Sequence, residues 1–499
     1  MDIELDRSNS QPLYLQVAEA LKARIETGAL PAQARLPATR RLAAELHINR
    51  ITVVNAYAEL EAEGLVTSHV GRGTFVAEPP PAPRDPQAQS RWMTPPSLPR
   101  PSLTGQMLRD MMRVGRQPGV ISFAGGSPAD EFLPVSEFRK ALNDVLRRDG
   151  AQALQYEEAA GYYPLREIIA RYLRRQSIPC QPGDVLITAG CQQALGTVLR
   201  VLAREGDAVL VEDPCYLGLL DIIQSHHLTP IGVPIDGQGM QVDRLEQLIL
   251  RHRPRLIYVV PSFQNPTGMT MTLERRQALL EIATHYGVPI LEDTTYREIH
   301  YDVPLLPPLK SLDRGDIVLH AGGFSKVLVP GIRIGYLVAP RPLRERLIVA
   351  KQTADILTSP LNQRALHAYL AAEHLPGHLA TVRRAYRERR DVMVSAAEGH
   401  FPAEARWRKP DGGLYLWVEM PPEGPTATDL YLAAINYNVA FAIGSVFSAG
   451  GSAQYAMRLN FASCAPDEIE EGLRRLGKAW RELLSRAPAA SRPQGVHIL

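Results

Sequence analysis

The feature that most constrains the fold of this chain is a proline-dense stretch from Pro79 to Pro101, "PPPAPRDPQAQSRWMTPPSLPRP". Proline has no backbone N–H and is excluded from helix interiors and inner strands, so this stretch predicts an extended, semi-stiff linker. It divides the chain of 499 residues into a short and a long folding segment. We expect an N-terminal domain over 1–78, a linker over 79–105, a large domain over 106–485 and a flexible tail over 486–499.

Composition limits the class of protein further. The net charge is only +2, so any nucleic-acid binding must come from a local basic patch. The four cysteines form no CxxC pair, which argues against a zinc site, and we expect no metal. No run of about twenty apolar residues is present, so we expect no membrane span. The acidic, polar start does not read as a secretory signal, and we expect a cytoplasmic bacterial protein, associated with the nucleoid when bound to DNA.

The N-terminal segment carries the pattern of three helices followed by a hairpin. Tyr14, Val17, Leu21 and Ile25 step by three and four, which predicts one apolar helix face. A second helix fits "ATRRLAAELHI", and a third begins near Asn49, a good N-cap residue. "EGLVTSHVGRGTFVAE" then alternates like two strands with glycines at their turn. This order predicts an α+β winged helix-turn-helix.

A DNA-reading surface follows from that plan. In a helix-turn-helix the N-terminal residues of the second helix meet base edges, while flanking cations contact phosphates. The candidate DNA-contacting residues are Arg35, Arg40, Asn49, Arg50, Thr52 and, at the tip of the wing, Arg72. Residues 1–78 nevertheless carry eight Lys and Arg against ten Asp and Glu. The alternative is therefore a small helical oligomerisation domain with a solvated charged face.

The long segment alternates strand-like and helix-like stretches. Short apolar runs end in small or polar residues, as in "DVLITAG", "AVLVEDP", "LIYVVPSF", "VPILEDTT" and "IVLHAGG". Amphipathic patterns such as "CQQALGTVLRVLARE" lie between several of them. This is typical of a mostly parallel α/β sheet wrapped by helices, in which ligands bind at the carboxyl ends of the strands.

The residues at those strand ends match what pyridoxal phosphate requires from a protein. It needs a lysine for a Schiff base, a carboxylate for the ring nitrogen, donors for O3′, an aromatic ring, and a helix N-terminus with a cation for the phosphate. In the same order, the candidates are Lys326; Asp293; Asn265 and Tyr296; Tyr216; and Gly190, Cys191, Gln192, Ser325 and Arg333. Taken singly, each of these residue types more often has a structural role than a cofactor-binding one. The prediction therefore rests on the order in which all of them occur.

Two specific motif sets carry resemblances to known families. "LPATRRLAAELHINRITVVNAYAELEAEGLVTSHVGRGTFV" resembles the GntR-type winged helix, which implies DNA contacts at Arg40, Asn49, Arg50, Thr52 and Gly71. This sequence departs from the family at Ile51, which offers no polar contact. The series TAGCQQ, EDPCY, SFQNPTG, LEDTTY, FSK and GIRIGY resembles fold-type I aminotransferases over residues 120–480.

The second resemblance implies roles for further residues. It implies a pyridoxal phosphate-dependent transferase fold with a small α+β C-terminal subdomain, and a catalytic set of Lys326, Asp293 and Tyr296. Arg458 in "YAMRLNFAS" would grip the carboxylate of a substrate or effector. Tyr156 would reach the phosphate bound by a partner subunit. Gly323 stands where many relatives have Ser or Thr, so one phosphate contact of the family is missing or replaced by a backbone N–H.

Together the two halves resemble the MocR family of bacterial transcriptional regulators, of the GabR type. The resemblance implies a homodimer, head-to-tail and domain-swapped, that binds double-stranded DNA at an operator with two half-sites. It implies that the large domain senses an amino-compound effector, or pyridoxal phosphate itself, through an internal aldimine at Lys326, with at most residual aminotransferase activity. The alternative is a working aminotransferase with an appended winged-helix domain.

Overall fold

The computed structural model describes residues 3, 5, 6, 11–69, 73–78 and 103–486. The chain forms two compact units, Met1–Leu98 and Pro99–Leu499. The wing-tip residues Gly71 and Arg72, predicted to contact DNA, lie outside the described residues. So do the linker up to residue 102 and the predicted tail after its first residue.

The N-terminal unit is a winged helix-turn-helix, as predicted. Its elements are α1 (Leu13–Glu26), α2 (Thr39–Glu45), α3 (Arg50–Ala62), β1 (Val66–His69) and β2 (Gly73–Val76). The two strands pair antiparallel, with Val66 opposite Val76 and His69 opposite Gly73. The helix faces predicted to be apolar supply fully buried residues to a common core, among them Val17, Leu21, Leu42, Val53 and Leu60.

The large unit contains thirteen α-helices among its described residues. They are α4 (Leu103–Val114), α5 (Val135–Asp149), α6 (Tyr163–Arg174), α7 (Cys191–Leu202), α8 (Leu217–Ser225), α9 (Leu245–His252), α10 (Leu273–Tyr286), α11 (Leu309–Leu312), α12 (Arg344–Asp355), α13 (Pro360–Ala371), α14 (His374–His400), α15 (Ala427–Ile435) and α16 (Pro466–Arg486). Helix α4 begins inside the predicted linker. The proline run ends at Pro101 and no proline follows until Pro118, so the chain is free to form a helix there.

Eight of the strands form one mixed, mostly parallel sheet. The strands of the large unit are β3 (Ile121–Ser122), β4 (Val185–Thr188), β5 (Ala208–Asp213), β6 (Thr229–Asp236), β7 (Gly239–Met240), β8 (Leu256–Val259), β9 (Ile290–Asp293), β10 (Val318–Gly323), β11 (Gly335–Val338), β12 (Arg406–Trp407), β13 (Tyr415–Glu419), β14 (Val439–Ala440), β15 (Ala442–Ile443) and β16 (Ala456–Asn460). The sheet order is β4-β11-β10-β9-β8-β5-β6-β7. Strands β5, β6, β8, β9 and β10 pair in parallel, whereas β11 runs antiparallel to both of its neighbours.

That topology places the predicted site residues at one edge. The five apolar runs named from the sequence form β4, β5, β8, β9 and β10, and Gly190, Asn265, Asp293 and Lys326 follow or end four of these strands at their carboxyl ends. Arg333 instead precedes the antiparallel strand β11, which begins at that edge. Because parallel strands end at the same edge, Gly190, Asn265, Asp293 and Lys326 converge although they are far apart in sequence.

The predicted C-terminal subdomain is also present. Strands β12, β13, β16 and β15 form an antiparallel sheet in that order, and the side chain of Trp480 in α16 is fully buried against Phe401. A short parallel pair of β3 and β14 ties Ile121 to Val439. Across the described ranges, no helix is both long and apolar enough to cross a membrane.

Candidate functional site

A cavity opens at the carboxyl edge of the large sheet. Its lining residues are Cys191, Gln192, Tyr216, Tyr258, Val260, Asn265, Asp293, Thr295, Tyr296, Ser325, Lys326 and Arg333. Nine of these were predicted from the sequence as cofactor-binding residues. Tyr258, Val260 and Thr295 were not predicted. The structure therefore assembles nine of the eleven predicted residues around one space, and Gly190 and Tyr156 are not among its lining residues.

Lys326 follows β10 and points its amine into the cavity. Its Nζ donates a 2.7 Å hydrogen bond to the carbonyl oxygen of Gly126. Within the described part of the chain no carboxylate lies at ion-pair distance from that amine. A Cβ on Gly126 would lie 2.5 Å from the hydroxyl of Tyr415, so only glycine lets this loop approach the lysine. The amine is thus positioned by a backbone carbonyl without being neutralised.

Asp293 ends β9 and is buried beneath the cavity. Its Oδ1 accepts hydrogen bonds from the backbone N–H of Thr295 at 2.9 Å and from the Thr295 hydroxyl at 2.6 Å. Its Oδ2 accepts from the Tyr258 hydroxyl at 3.1 Å. These three donors fix the carboxylate where it could face a pyridinium nitrogen. The Asp-x-Thr spacing is a local turn pattern, so Thr295 could have been found from sequence.

Asn265 and Tyr296 line one side of the cavity, and Tyr415 contacts Tyr296 there. Asn265 Nδ2 donates to the Tyr296 hydroxyl at 3.1 Å, and that hydroxyl lies 3.0 Å from the hydroxyl of Tyr415. Burial raises the pKa of Tyr296 well above its usual value, with Tyr415 adding to the shift. The phenol therefore keeps its proton at neutral pH and can donate a hydrogen bond. Tyr415 was missed by the sequence prediction, because "GGLYLW" gives no sign that it meets Tyr296.

Arg458 on β16 is buried beside these tyrosines, only 5% exposed. Its two terminal nitrogens donate to Asn265 Oδ1 at 2.9 Å and to the carbonyl oxygen of Ala124 at 2.7 Å. Its guanidinium carbon lies 4.2 Å from the centroid of the Tyr415 ring and 4.7 Å from that of Phe447. Its buried Nε has no hydrogen-bond partner, and no carboxylate among the described residues pairs with it. A buried cation of this kind suits the carboxylate of a ligand.

The phosphate end is built where helix α7 begins. Gly190 precedes the helix with φ of +89°, and Arg333 Nη2 lies 2.5 Å from where a Cβ on Gly190 would be. Arg333 Nη1 donates to the Ser325 hydroxyl at 3.2 Å. Backbone N–H groups at a helix N-terminus next to a guanidinium form an anion site. The structure therefore brings Gly190, Ser325 and Arg333 together as predicted.

Tyr216 and Gln192 form the wall next to the phosphate end. The Tyr216 hydroxyl donates to Gln192 Oε1 at 2.9 Å, and Gln192 Nε2 donates to the carbonyl oxygen of Gly218 at 2.8 Å. The Gln192 side chain therefore holds Tyr216 in place, and only the backbone N–H of Gln192 could donate a hydrogen bond to a phosphate. Burial raises the pKa of the neighbouring Cys191 thiol well above its usual value, so that side chain stays neutral.

These residues fit pyridoxal phosphate. The lining contributes two cations, Lys326 and Arg333, against the single carboxylate of Asp293, which leaves a positive balance for a phosphate. The described part of the chain contains no cluster of His, Cys, Asp and Glu side chains that could hold a metal ion. Tyr156 is 81% exposed and does not line the cavity.

Gly323 offers a test of the phosphate end. A Cβ there would meet Gly335 Cα at 3.5 Å and the backbone nitrogen of Cys191 at 3.8 Å, which are ordinary contact distances. We therefore expect Gly323→Ser to fold and to place a hydroxyl beside the start of α7. One added hydrogen bond to a charged group should tighten pyridoxal phosphate binding about tenfold, measured by absorbance titration of the apoprotein.

Gly335→Ser is the matched control for that variant. A Cβ on Gly335 would lie 2.6 Å from the backbone carbon of Gly190 and 2.7 Å from the nitrogen of Cys191. This close approach of β11 to the helix start leaves no room for a side chain. We expect weaker cofactor binding and a lower Tm. An unchanged Kd in Gly323→Ser would mean that the phosphate lies away from residue 323.

The N-terminal unit exposes four of the residues predicted to read DNA, Arg35, Arg40, Asn49 and Arg50, whereas Thr52 is half-buried. Asn49 caps α3, and its Oδ1 accepts a hydrogen bond from the backbone N–H of Ile51 at 3.0 Å. Arg50 is exposed, and its Nε lies 3.4 Å from the Thr39 hydroxyl. Arg40 is exposed on the preceding helix. The carboxamide oxygen of Asn49 is thus committed to the helix, whereas the arginines stay available.

Comparison with protein families matches both units. Residues 13–76 match the family of bacterial regulatory proteins of the gntR type, and residues 118–476 match the class I and II aminotransferases. These spans contain the winged helix-turn-helix and the cofactor cavity respectively.

Individual relatives are of two kinds. The chain is 39% identical to the 2-aminoadipate transaminase of Thermus thermophilus, over 76% of this chain and 94% of that protein. It is 31% identical to the probable rhizopine catabolism regulatory protein MocR of Rhizobium meliloti, over 98% of this chain and 99% of that protein. The crystal structure of the T. thermophilus α-aminoadipate aminotransferase LysN, complexed with N-(5′-phosphopyridoxyl)-L-leucine, is similar at a TM-score of 0.71 and 39% identity. That similarity covers 76% of this chain and 95% of LysN.

Proposed function

The chain belongs to the MocR-type transcriptional regulators, in which a gntR-family domain precedes a class I and II aminotransferase domain, and we propose that it senses an amino compound through pyridoxal phosphate held at Lys326. The signal is read in the large unit and expressed as a change in affinity for DNA. Pyridoxal phosphate itself is the alternative signal. Such a protein would act in the bacterial cytoplasm, at the nucleoid when bound to DNA.

The observation that carries this proposal is the cavity at the sheet edge. The amine of its lining residue Lys326 has no ion-pair partner among the described residues, and neither has the buried guanidinium of Arg458, which donates to the lining residue Asn265. A ligand with an amine and a carboxylate would satisfy both features. Because the same chain carries a winged helix, ligand binding at this site could change the affinity of that unit for DNA.

Different side chains would bind different parts of the cofactor and of the ligand. Pyridoxal phosphate, when bound, supplies an aldehyde that condenses with amines and a ring that withdraws electrons. Asp293 would face the ring nitrogen, and Asn265 with Tyr296 would donate hydrogen bonds to O3′. Arg333 and the start of α7 would hold the phosphate, and Arg458 would take the ligand carboxylate.

Regulation requires that the ligand distinguish two global states. A ligand shifts an equilibrium only by the difference between its affinities for the two states. Exchange of the Lys326 amine for an incoming amine would supply such a difference, because the lysine regains its charge. We propose a head-to-tail, domain-swapped homodimer that binds an operator with two half-sites. The exposed Tyr156 is the candidate that would reach the phosphate in the partner.

A working aminotransferase is the second candidate function. It is favoured by the completeness of the site, since the sequence has tyrosine at position 296 as in true aminotransferases. Lys326 and Asp293 line the cavity, and Arg458 donates a hydrogen bond to the lining residue Asn265. It is also favoured by the 39% identity to a transaminase over the large unit. Turnover of an amino acid with a keto acid, without specific DNA binding by the intact protein, would establish this function instead.

Arg50→Ala tests the regulator. Arg50 starts α3 on the exposed side, and loss of a base-contacting arginine costs about 1–3 kcal/mol. We expect affinity for the protein's own upstream DNA to fall about ten- to hundredfold, with cofactor absorption unchanged. The assay is a gel shift with full-length protein. Arg341→Ala removes another exposed arginine, from the large unit, and should bind DNA like the parent. Unaltered binding by Arg50→Ala would refute a reading role for α3.

Titration of the cofactor-loaded protein with amino compounds tests the sensor. We expect one carboxylate-bearing amine to change the visible absorption and the DNA affinity over the same concentration range, without turnover. If no such compound acts and DNA binding responds to pyridoxal phosphate alone, the cofactor is the signal.

A further inference from the structure

Two aliphatic side chains stand out on the solvent side of helix α3. Ile51 is 64% exposed and Val54 is 41% exposed, whereas Val53, Tyr57 and Leu60 of the same helix are buried. Residues three apart lie next to each other on a helix surface, so Ile51 and Val54 form one small apolar patch. We call this pair the α3 patch. β-branched residues are weak helix formers, so the helix itself gains nothing from them.

The N-terminal unit also carries exposed cations. Arg50 directly precedes Ile51, and Arg35 and Arg40 are exposed before and on α2. Within the described ranges none of the three takes part in an ion pair. Asn49, the polar neighbour that could read a base, has its oxygen committed to capping the helix. An apolar patch on a unit with unpaired arginines matches a duplex, which presents phosphates outside and base edges within the groove.

We propose that Ile51 and Val54 read thymine by contacting its 5-methyl group in the major groove of the operator. This inference rests on the proposed DNA-binding function and adds the base that the helix recognises. In the major groove the thymine methyl is the apolar feature of a base edge, and apolar side chains are its partners. The N-terminal turns of the second helix of a helix-turn-helix are the part that reaches those edges.

A protein partner is the other occupant such a patch could have. Two side chains make a patch far smaller than a stable protein interface needs, which is about 800 Å² on each partner. The exposed arginines of the same unit favour a polyanion. The duplex is therefore the occupant to which the proposal commits.

The test replaces thymine by deoxyuridine in the protein's own upstream DNA, which removes only the methyl groups. Full-length protein is titrated with the thymine and the deoxyuridine duplex at one fixed salt concentration, and both Kd values are measured by fluorescence anisotropy. We expect the parent to bind the deoxyuridine duplex about fourfold more weakly per contacted methyl, on the scale of burying one such group. Ile51→Ala and Val54→Ala should bind the thymine duplex more weakly and lose part of this discrimination.

Controls separate the outcomes. Leu250→Ala removes a similarly exposed aliphatic side chain, 62% exposed, from the large unit and should keep the parent's discrimination. Arg40→Ala should weaken binding to both duplexes equally. Equal Kd values of the parent for both duplexes would overturn the thymine contact while leaving DNA binding intact. Discrimination that persists in both α3 variants would place the methyl contact elsewhere, and no binding to either duplex would mean that the regulator function itself fails.

Discussion

Lys326→Ala is expected to abolish covalent attachment of pyridoxal phosphate. Among the described residues, the Lys326 amine donates one hydrogen bond, to the carbonyl oxygen of Gly126, and it takes part in no ion pair. Its removal should therefore leave the fold intact. Borohydride reduction of the loaded protein, followed by peptide mass spectrometry, should label the peptide that contains Lys326 in the parent and no peptide in the variant. The visible band of the lysine-bound cofactor should be absent.

Two variants make that result specific. Lys326→Arg keeps a positive charge in the cavity but offers no amine that can condense with an aldehyde, so labelling should also vanish. Lys140→Ala removes an exposed lysine of α5 in the same unit and should label like the parent. Labelling that survives in Lys326→Ala would assign the cofactor to another lysine and would remove the basis of the proposed sensor.

Arg458→Leu is expected to abolish discrimination in favour of amines that carry a carboxylate. Truncating one partner of a buried, hydrogen-bonded charge pair costs about 2–5 kcal/mol, so affinity for the carboxylate effector should fall at least about thirtyfold. Binding of the corresponding amine without a carboxylate should change little, because it makes no contact with this guanidinium. The measurement is the Kd for both ligands from the visible absorption of the loaded protein.

Folding has to be controlled in this variant, because Arg458 also donates to Asn265 and Ala124. Arg458→Lys keeps the charge and should give an intermediate affinity, since an ammonium cannot form the bidentate fork. A Tm close to that of the parent would show that the loss belongs to the site. If Arg458→Leu retained its preference for the carboxylate, the ligand would have to bind in another orientation and the proposed effector class would change.

Much of the candidate site could be predicted from sequence because most of its residues belong to short motifs next to strands. A parallel sheet brings the ends of its strands together, so motifs that end strands must converge whatever the details of packing. The motif order therefore sufficed to predict that Lys326, Asp293 and Asn265 meet at one edge. Arg333 reaches the same edge because β11, which it precedes, runs antiparallel to its neighbours. The three helices and the wing followed from periodicity in the same way.

The sequence by itself thus determined the division into a winged helix and an α/β unit. It also determined which strand ends carry the candidate site residues. Only the tertiary structure decided which side chains meet across long separations. Tyr415 lies 119 positions from its partner Tyr296, and Gly126 lies 200 positions from Lys326. The tertiary structure also left Arg458 buried without an anion, and it placed Ile51 and Val54 on the open side of α3 while Asn49 was taken up by its cap. The physical reason is that periodicity reports which face of an element is apolar, whereas contacts between elements depend on how those faces pack.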